Sequence, residues 1–333
     1  MHRMQQLYFS IVRWFDSEAY SVHFSNQPPN QSHYSGQSQD TRFNWVRVLP
    51  FIALHLGCLL VFWVGVSPFA AWFALGFYLV RMFAITGFYH RYFSHKTFKT
   101  NRFWQFLFAL LGATAAQRGA LWWAAHHRHH HQHSDSEKDL HSPYQQGFWW
   151  AHMGWFTCDA GFRTDERRIR DWMKFPELCF LNRFDALVPL LTLVSLYGLG
   201  EMLFATVPEL GTNGAQLAVW GFFISTVVLF HGTVSINSLA HVWGSRRFET
   251  SDSSRNNFWL ALLTLGEGWH NNHHRWPQSA RQGFRWWEID VTYYLLVLMS
   301  KAGIIHDLNP LPEAIRRETL SLDKLRKGHA HAG

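Results

Sequence analysis

The chain has 333 residues, enough for one large domain or two. Aromatic side chains make up 17% of it, including 18 Trp and 29 Phe, and only 16% is charged, a balance that points to lipid rather than water. Three cysteines without paired spacing, Cys58, Cys158 and Cys179, indicate neither a disulfide framework nor a zinc ribbon. The formal charge of +7 raises nucleic acid as a partner, but the cations are distributed as membrane topology would distribute them.

Met1 to Arg47 reads as a peripheral arm. Leu7 to Phe15 suits a short interfacial helix, and Ser25 to Asp40 is too rich in Pro, Ser and Gln to fold. The start lacks the pattern of a cleaved signal peptide. Val48 to Gly65 is the first spanning candidate and Ala70 to Tyr89 the second, the latter interrupted by Arg81. Both approach the ~20 residues that a bilayer core demands. Phe103 to Trp123 carries Gln117 and Arg118 and is read as one helix lying in the interface or dipping into the protein, rather than as a span. If it crossed, the histidines that follow would emerge opposite His90. Asp135 to Arg183 is charged and loop-rich, with Phe148 to Trp155 at headgroup level.

Asp185 to Gly200 and Leu217 to Ser238 form a second pair of spans with its tip at Glu201 to Gln216. Ser245 to Gly333 reads as soluble, apart from an interfacial segment at Val291 to Met299. Lys and Arg number four up to Arg47, thirteen from Arg91 to Arg183 and twelve beyond His241, with Arg81 inside a span and none in either tip. By the positive-inside rule, both termini and every histidine segment face the cytoplasm. The expected division is an N-terminal arm (1–46, polar and partly disordered), a membrane domain with its cap (47–301) and a C-terminal tail (302–333).

The segment that organises the chain is Trp122 to His133, with six histidines in eight residues. On a helix His127 and His131 lie about 40° apart and His130 about 60° to the other side, so the three face one way. His270, His273 and His274 repeat that spacing. His90 and His95 are five apart, about 140° around an ideal helix, so they need a bent or unwinding helix end or must straddle a metal. Asn237 and His241 are four apart and stack on one face. Neutral imidazole is the commonest metal ligand, and nine histidines with one asparagine exceed what one ion can use, so two ions are expected. His126, His129 and His133 break the spacing and are left as bystanders. His55, His141, His152, His231 and His306 are assigned to capping, packing or support. Asp135, Glu267 and Asp290 stand beside the boxes and could accept the free ring N–H of a ligating histidine. The Trp122-Trp123 and Trp286-Trp287 pairs read as interfacial anchors.

These segments resemble the membrane acyl-CoA desaturases of the stearoyl-CoA delta-9 type. The H-x4-H, H-x-x-H-H and second H-x-x-H-H boxes match, as does N-x-x-x-H before the last box. The strings Asn237 to His241, Gly266 to His270 and Ser279 to Phe284 are similar to the bacterial branch. The resemblance runs from about Val48 to Ser300. It implies an all-α fold of four transmembrane helices in two hairpins, with a cytosolic helical cap holding a histidine-rich diiron site. It implies His90, His95, His127, His130, His131, His241, His270, His273 and His274 as iron ligands and Asn237 as a contact through water. Gln117, Trp123 and Thr233 match positions that line a kinked acyl tunnel in the family. Ala125-His126 and Asp159-Ala160 stand where animal members carry Arg-Asp and Arg-Lys for the CoA headgroup, so CoA recognition does not carry over and acyl-lipid substrates stay open.

The expected reaction is O2-dependent insertion of a cis double bond, at delta-9, into a saturated acyl chain on CoA or a lipid. No fused cytochrome b5-like domain is seen, so electrons are expected from a separate ferredoxin, rubredoxin or cytochrome b5-like donor with its reductase. The implied location is a bacterial inner membrane, with the site cytoplasmic. Two rivals remain: a diiron lipid hydroxylase or monooxygenase on the same scaffold, and a membrane zinc or iron carrier. The N-x-x-x-H element and flanking strings favour desaturation over hydroxylation. A carrier would place its ligands inside the bilayer, whereas these boxes sit at or beyond the ends of the apolar segments.

Overall fold

The computed structural model describes residues 2–19 and 43–330. The expectation of disorder at Ser25 to Asp40 falls outside the described residues. Among those described, the chain is helical, with four isolated bridges and no extended strand. Among the described residues, four helices are long and apolar enough to cross a membrane: Trp45–Val64, Pro68–Ser94, Leu187–Thr206 and Gly214–Val242. The sequence expectation of four spans in two consecutive pairs holds. Their ends move, however, because caps rather than hydrophobicity set them.

The first span opens at Asn44, whose side chain accepts from Arg47 N, and closes at Gly65 with φ +68°, a backbone state that side chains disfavour. Ser67 Oγ then accepts from Ala70 N at 3.0 Å and Pro68 opens the second span. The third span begins at Leu187 rather than Asp185, since Asp185 is held by Arg118 at 2.8 Å. It continues to Thr206, six residues past the expected end. Asn213 caps the fourth span through Gln216 N at 3.0 Å.

The described residues form two compact units, each assembled from separated stretches. One draws on Met1–Arg81, Ala109–Ala125 and Met153–Phe230, the other on Met82–Phe108, His126–His152 and His231–Gly333. In the first unit, Gly57 lies so close to the Phe223 ring that a Cβ there would be 2.2 Å from it. Helix His2–Val12 begins earlier than the expected interfacial turn, and the residues after it are tied down by Asp16 to Arg183 at 2.7 Å.

Arg81 is fully buried in this unit. Its guanidinium reaches Thr226 Oγ1 at 2.7 Å, Ser225 Oγ at 2.6 Å, and the carbonyls of Thr114 and Gly221. It also lies 4.2 Å from the Phe77 ring centroid. Neutral acceptors thus take the place of water around a charge that the apolar surroundings would otherwise expel.

The expected single helix from Phe103 to Trp123 is instead two, Arg102–Ala113 and Ala120–His133. Between them Ala116 and Arg118 take left-handed φ of 56° and 66°. Arg118 is held there by Asp185 and by Phe162 O at 3.0 Å, and Asn182 Oδ1 accepts from Trp122 N at 2.8 Å to start the new helix. These long-range partners outweigh the local helical preference of Thr114 to Gly119.

In the second unit, helix Glu313–Ala330 packs Ile315 against Phe248 and Phe284, and Glu318 pairs with Arg275 at 2.7 Å. Helix Val291–Lys301, at 11 residues, is too short to cross a bilayer.

Arg81→Ala should cost about 1–3 kcal/mol, because four acceptors lose a charged donor. A fall in the unfolding temperature of the detergent-solubilised protein would register it, and an unchanged temperature would deny Arg81 this role.

Candidate metal centre

All nine histidines of the boxes lie in the second unit. Their ring nitrogens converge in two sets. His90, His95, His127, His131 and His273 form one, and His130, His241, His270 and His274 the other, with the candidate ligand atoms of each set within 4.8 Å of one another. In the first set, Nε2 of His95 and His127 lie 2.7 Å apart, those of His90 and His273 3.1 Å, and those of His131 and His273 2.9 Å. In the second, Nε2 of His241 and His270 are 3.1 Å apart. The sets adjoin: the rings of His131 and His274 stack at 4.5 Å.

How His90 and His95 share a set follows from the backbone. The second span widens to i→i+5 hydrogen bonding over Ala84–Ser94, and His95 N donates to His90 O at 3.2 Å. A wide turn brings residues five apart onto one face, as an α-turn does for residues four apart. The rings end 4.9 Å apart. Of the two options left open by the spacing, the chain takes the altered helix end.

The two H-x-x-H-H boxes, each expected to present three imidazoles on one face, divide those three between the two sets. On helix Ala120–His133, His127 and His131 enter the first set while His130 enters the second. On helix His270–Arg275, His270 and His274 enter the second set while His273 enters the first. Each box gives its i and i+4 pair to one set and its i+3 ring to the other.

Four carboxylates orient the rings from behind. Nδ1 of His90 meets Glu267 at 2.6 Å, His130 meets Asp139 at 3.0 Å, His241 meets Asp135 at 3.1 Å and His274 meets Asp252 at 2.6 Å. The anion fixes the proton on Nδ1 and leaves an Nε2 lone pair facing inward. Asp135 and Glu267, named from the sequence as acceptors of a ring N–H, each lie against a ring Nδ1. Asp290 does not: it binds Arg91 at 2.8 Å, because that fully buried guanidinium claims both Asp290 and Glu267. Asp139 and Asp252 were missed. Asp139 stands nine residues after His130 and was visible only as an acid near the box, whereas Asp252 sits in a loop with no periodic signal.

Burial is the largest influence on these groups. It holds His95, His127, His131, His270 and His273 well below the usual 6.5, helped by repulsion between the rings, and takes His274 down to about 4 against the pull of Asp252. For His130, burial is overcome by Asp139, which raises it. Burial also opposes charge on Asp135, Asp139 and Asp252, yet their histidine partners hold all three below the ordinary carboxylate range. The rings are therefore mostly neutral donors at pH 7, backed by anions. His274 Nε2 is buried without a hydrogen-bond partner. Bare nitrogens packed in this way repel, and shared cations would relieve them, so the donor set fits two imidazole-loving metals such as iron or zinc.

His141 packs 4.5 Å from His130 and is pushed down to about 3 by burial, in keeping with a supporting role. His129 is bonded to Lys138 O, and His126, His129 and His133 belong to neither set. His152 bonds Ser238 through Nδ1 and His231 through Nε2. Asn237 lies one turn before His241 on the fourth span. Gln117 and Trp123 belong to the first unit and Thr233 to the second. Gln117 is buried in the turn after Ala113, and Trp123 is one turn before His127.

Fold and site together define a membrane protein of four crossing helices with a paired, carboxylate-backed histidine centre. The sequence profile described as fatty acid desaturase matches residues 67–297. The sn-2 palmitoyl-lipid 9-desaturase of Nostoc sp. is 35% identical over 274 residues, 79% of this chain and 89% of that protein. The sn-1 stearoyl-lipid 9-desaturase of Synechocystis sp. is 36% identical over 278 residues, 81% of each chain. The chloroplastic palmitoyl-monogalactosyldiacylglycerol delta-7 desaturase of Arabidopsis thaliana is 37% identical over 252 residues, 74% of this chain and 64% of that protein. The chain belongs to the fatty acid desaturase family, among relatives of the delta-9 type. It is an oxidoreductase, a fatty acyl desaturase.

Without metal, stability should fall as pH drops from 6.5 towards 4. In that window the unfolded chain protonates histidines that the folded chain keeps neutral, so the unfolded state binds more protons and acid favours it. His130, with its raised value, offsets part of the loss. Melting temperatures of chelator-treated protein from pH 7.5 to 4.5 would check this, and a flat profile would contradict it.

Proposed function

We propose that this chain introduces a cis double bond at delta-9 into a saturated acyl chain esterified to a membrane glycerolipid, using O2 and two iron ions held by the nine box histidines. The observation that carries the reading is the division of those histidines into two adjoining, largely buried sets of five and four. His90, His95, His127, His131 and His273 hold one iron, and His130, His241, His270 and His274 the other. Asn237 completes the smaller set through water. When bound, the iron pair supplies the oxidising power that an unactivated methylene requires.

The chain's own residues do the rest. Glu267, Asp139, Asp135 and Asp252 keep the ring protons on Nδ1, which holds the donor atoms in place and makes them more basic. Burial of the sets excludes bulk water from the reacting carbons. Gln117, Trp123 and Thr233 are assigned to the wall of the acyl channel. Electrons arrive from an external ferredoxin, rubredoxin or cytochrome b5-like donor. The distribution of Lys and Arg supports a cytoplasmic centre, and the bacterial-type strings around Asn237, Gly266 and Ser279 support a bacterial inner membrane.

The preference for lipid-linked chains has two supports. The named relatives act on acyl lipids by their descriptions. Within the first unit, Asp159, at a place where a cation would serve CoA, is an acid bonded to Asn44 at 3.0 Å and near Arg47 at 3.8 Å. Its negative charge disfavours a phosphate.

Gas chromatography–mass spectrometry of fatty acids from cells expressing the chain should show new delta-9 monoenes. Hydroxy fatty acids instead would favour a hydroxylase. His127→Ala and His273→Ala should each abolish the product while leaving membrane insertion intact, and normal product from either would remove that residue from the centre. Purified protein should contain two irons per chain, and Asp252→Asn should weaken metal affinity about 10–100-fold, as read by chelator competition. Assays with acyl phospholipid, acyl-CoA and acyl carrier protein should favour the phospholipid; strict CoA dependence would overturn the carrier assignment.

A further inference from the structure

The second unit carries a large apolar surface that the histidine chemistry does not use. Helix Phe258–Leu263 exposes Trp259 (66%) and Leu263, helix Val291–Lys301 exposes Tyr294 and Leu298, and the segment leading into the latter exposes Trp286 (82%). These positions are neighbours rather than scattered. Thr292 N donates to Leu265 O at 2.8 Å, and Trp269 Nε1 donates to Ile289 O at 2.8 Å. A contiguous apolar face of this kind on a soluble surface calls for a partner.

Both helices are tied to the ends of crossing helices. Asn257, the cap of Phe258–Leu263, donates through Nδ2 to Trp243 O at 3.4 Å, and Trp243 directly follows the fourth span. Val242 and Trp243 are themselves exposed, so the apolar face continues the lipid-facing surface of that span. Thr292 Oγ1 lies 2.7 Å from Thr86 Oγ1 in the second span. Val291–Lys301 is about 16 Å long at 1.5 Å per residue, roughly half the hydrocarbon core, so its apolar side must lie along the boundary rather than cross it.

Charge points the same way. Between residues 256 and 301 the three acids, Glu267, Glu288 and Asp290, are all buried, whereas Arg281, Arg285 and Lys301 are at least partly exposed. The Arg285 guanidinium stands 4.7 Å from the Trp287 ring centroid. Arg285 is paired with Asp323 at 2.9 Å, which leaves Arg281 and Lys301, beside the exposed tryptophans and tyrosine, to match the headgroup zone of a bilayer containing anionic lipid.

We propose that Phe258–Leu263, the Trp286–Ile289 segment and Val291–Lys301 form a monotopic ledge seated in the headgroup–acyl boundary of an anionic bilayer, a membrane contact additional to the four crossing helices. The ledge is linked to the metal centre through one residue. Asp290 caps Val291–Lys301 by accepting from Tyr293 N at 3.0 Å, and the same carboxylate holds Arg91, next to His90.

The test uses the full chain in vesicles of phosphatidylcholine and phosphatidylglycerol. With Cys58, Cys158 and Cys179 replaced by Ser, nitroxides are placed through W259C, L298C and, as a water-facing control on helix Glu313–Ala330, R317C. Collisional relaxation by oxygen should exceed that by a water-soluble nickel chelate several-fold at positions 259 and 298, with the order reversed at 317. Chelate-dominated relaxation at 259 and 298, equal to the control, would overturn the ledge. If the substituted chain does not fold, the unaltered protein is labelled with a bilayer-partitioned diazirine. Label on peptides covering 258–263 and 291–301, with none on 313–325, supports the proposal, and label confined to the four spans overturns it. Neither readout depends on the substrate or on bound iron.

Discussion

The contacts on which the centre depends are the four between a histidine Nδ1 and a carboxylate that is buried or partly buried. An imidazole ring can carry its proton on either nitrogen, and a cluster of nine rings left to itself would adopt many arrangements of N–H and lone pair. Glu267, Asp139, Asp135 and Asp252 remove that freedom at His90, His130, His241 and His274. Each anion would be costly alone in the interior, and each inward lone pair would repel its neighbours. Hydrogen-bonded together around a cation, the groups compensate one another.

The two sets are also interlocked through the chain. Because each H-x-x-H-H box feeds both sets, with the single ring of one box joining the pair of the other, neither set can form from one helix. Helices Ala120–His133 and His270–Arg275 must be in register before either is complete. The widened turns at Ala84–Ser94 serve the same end, since an ordinary α-helix would turn His95 away from His90. Widened helical turns of this kind are frequent at functional sites.

Two buried arginines on the second span show different ways of keeping a cation out of water. Arg81 is surrounded by hydroxyls and carbonyls, which solvate it without adding charge and join elements of the first unit. Arg91 lies between Glu267 and Asp290, and through them touches both the His90 support and the cap of Val291–Lys301. The first is a packing device, and the second belongs to the frame of the centre.

Much of this was legible in the sequence, because hydrophobic runs and histidine spacing are local signals. Four apolar stretches of bilayer length, the matched H-x-x-H-H boxes and N-x-x-x-H segment, and the distribution of Lys and Arg determined the class of fold and the identity of the nine converging histidines. What depended on partners far along the chain was not legible. The break at Thr114 to Gly119 arises from Asp185, Phe162 and Asn182, and the role of Asp252 arises where its loop closes on His274. Likewise, the allocation of each ring to one set or the other was decided only by tertiary structure. Residues at i, i+3 and i+4 share a helical face, and which neighbour each one meets there is set by the opposing helix, a relation that no spacing within one segment contains.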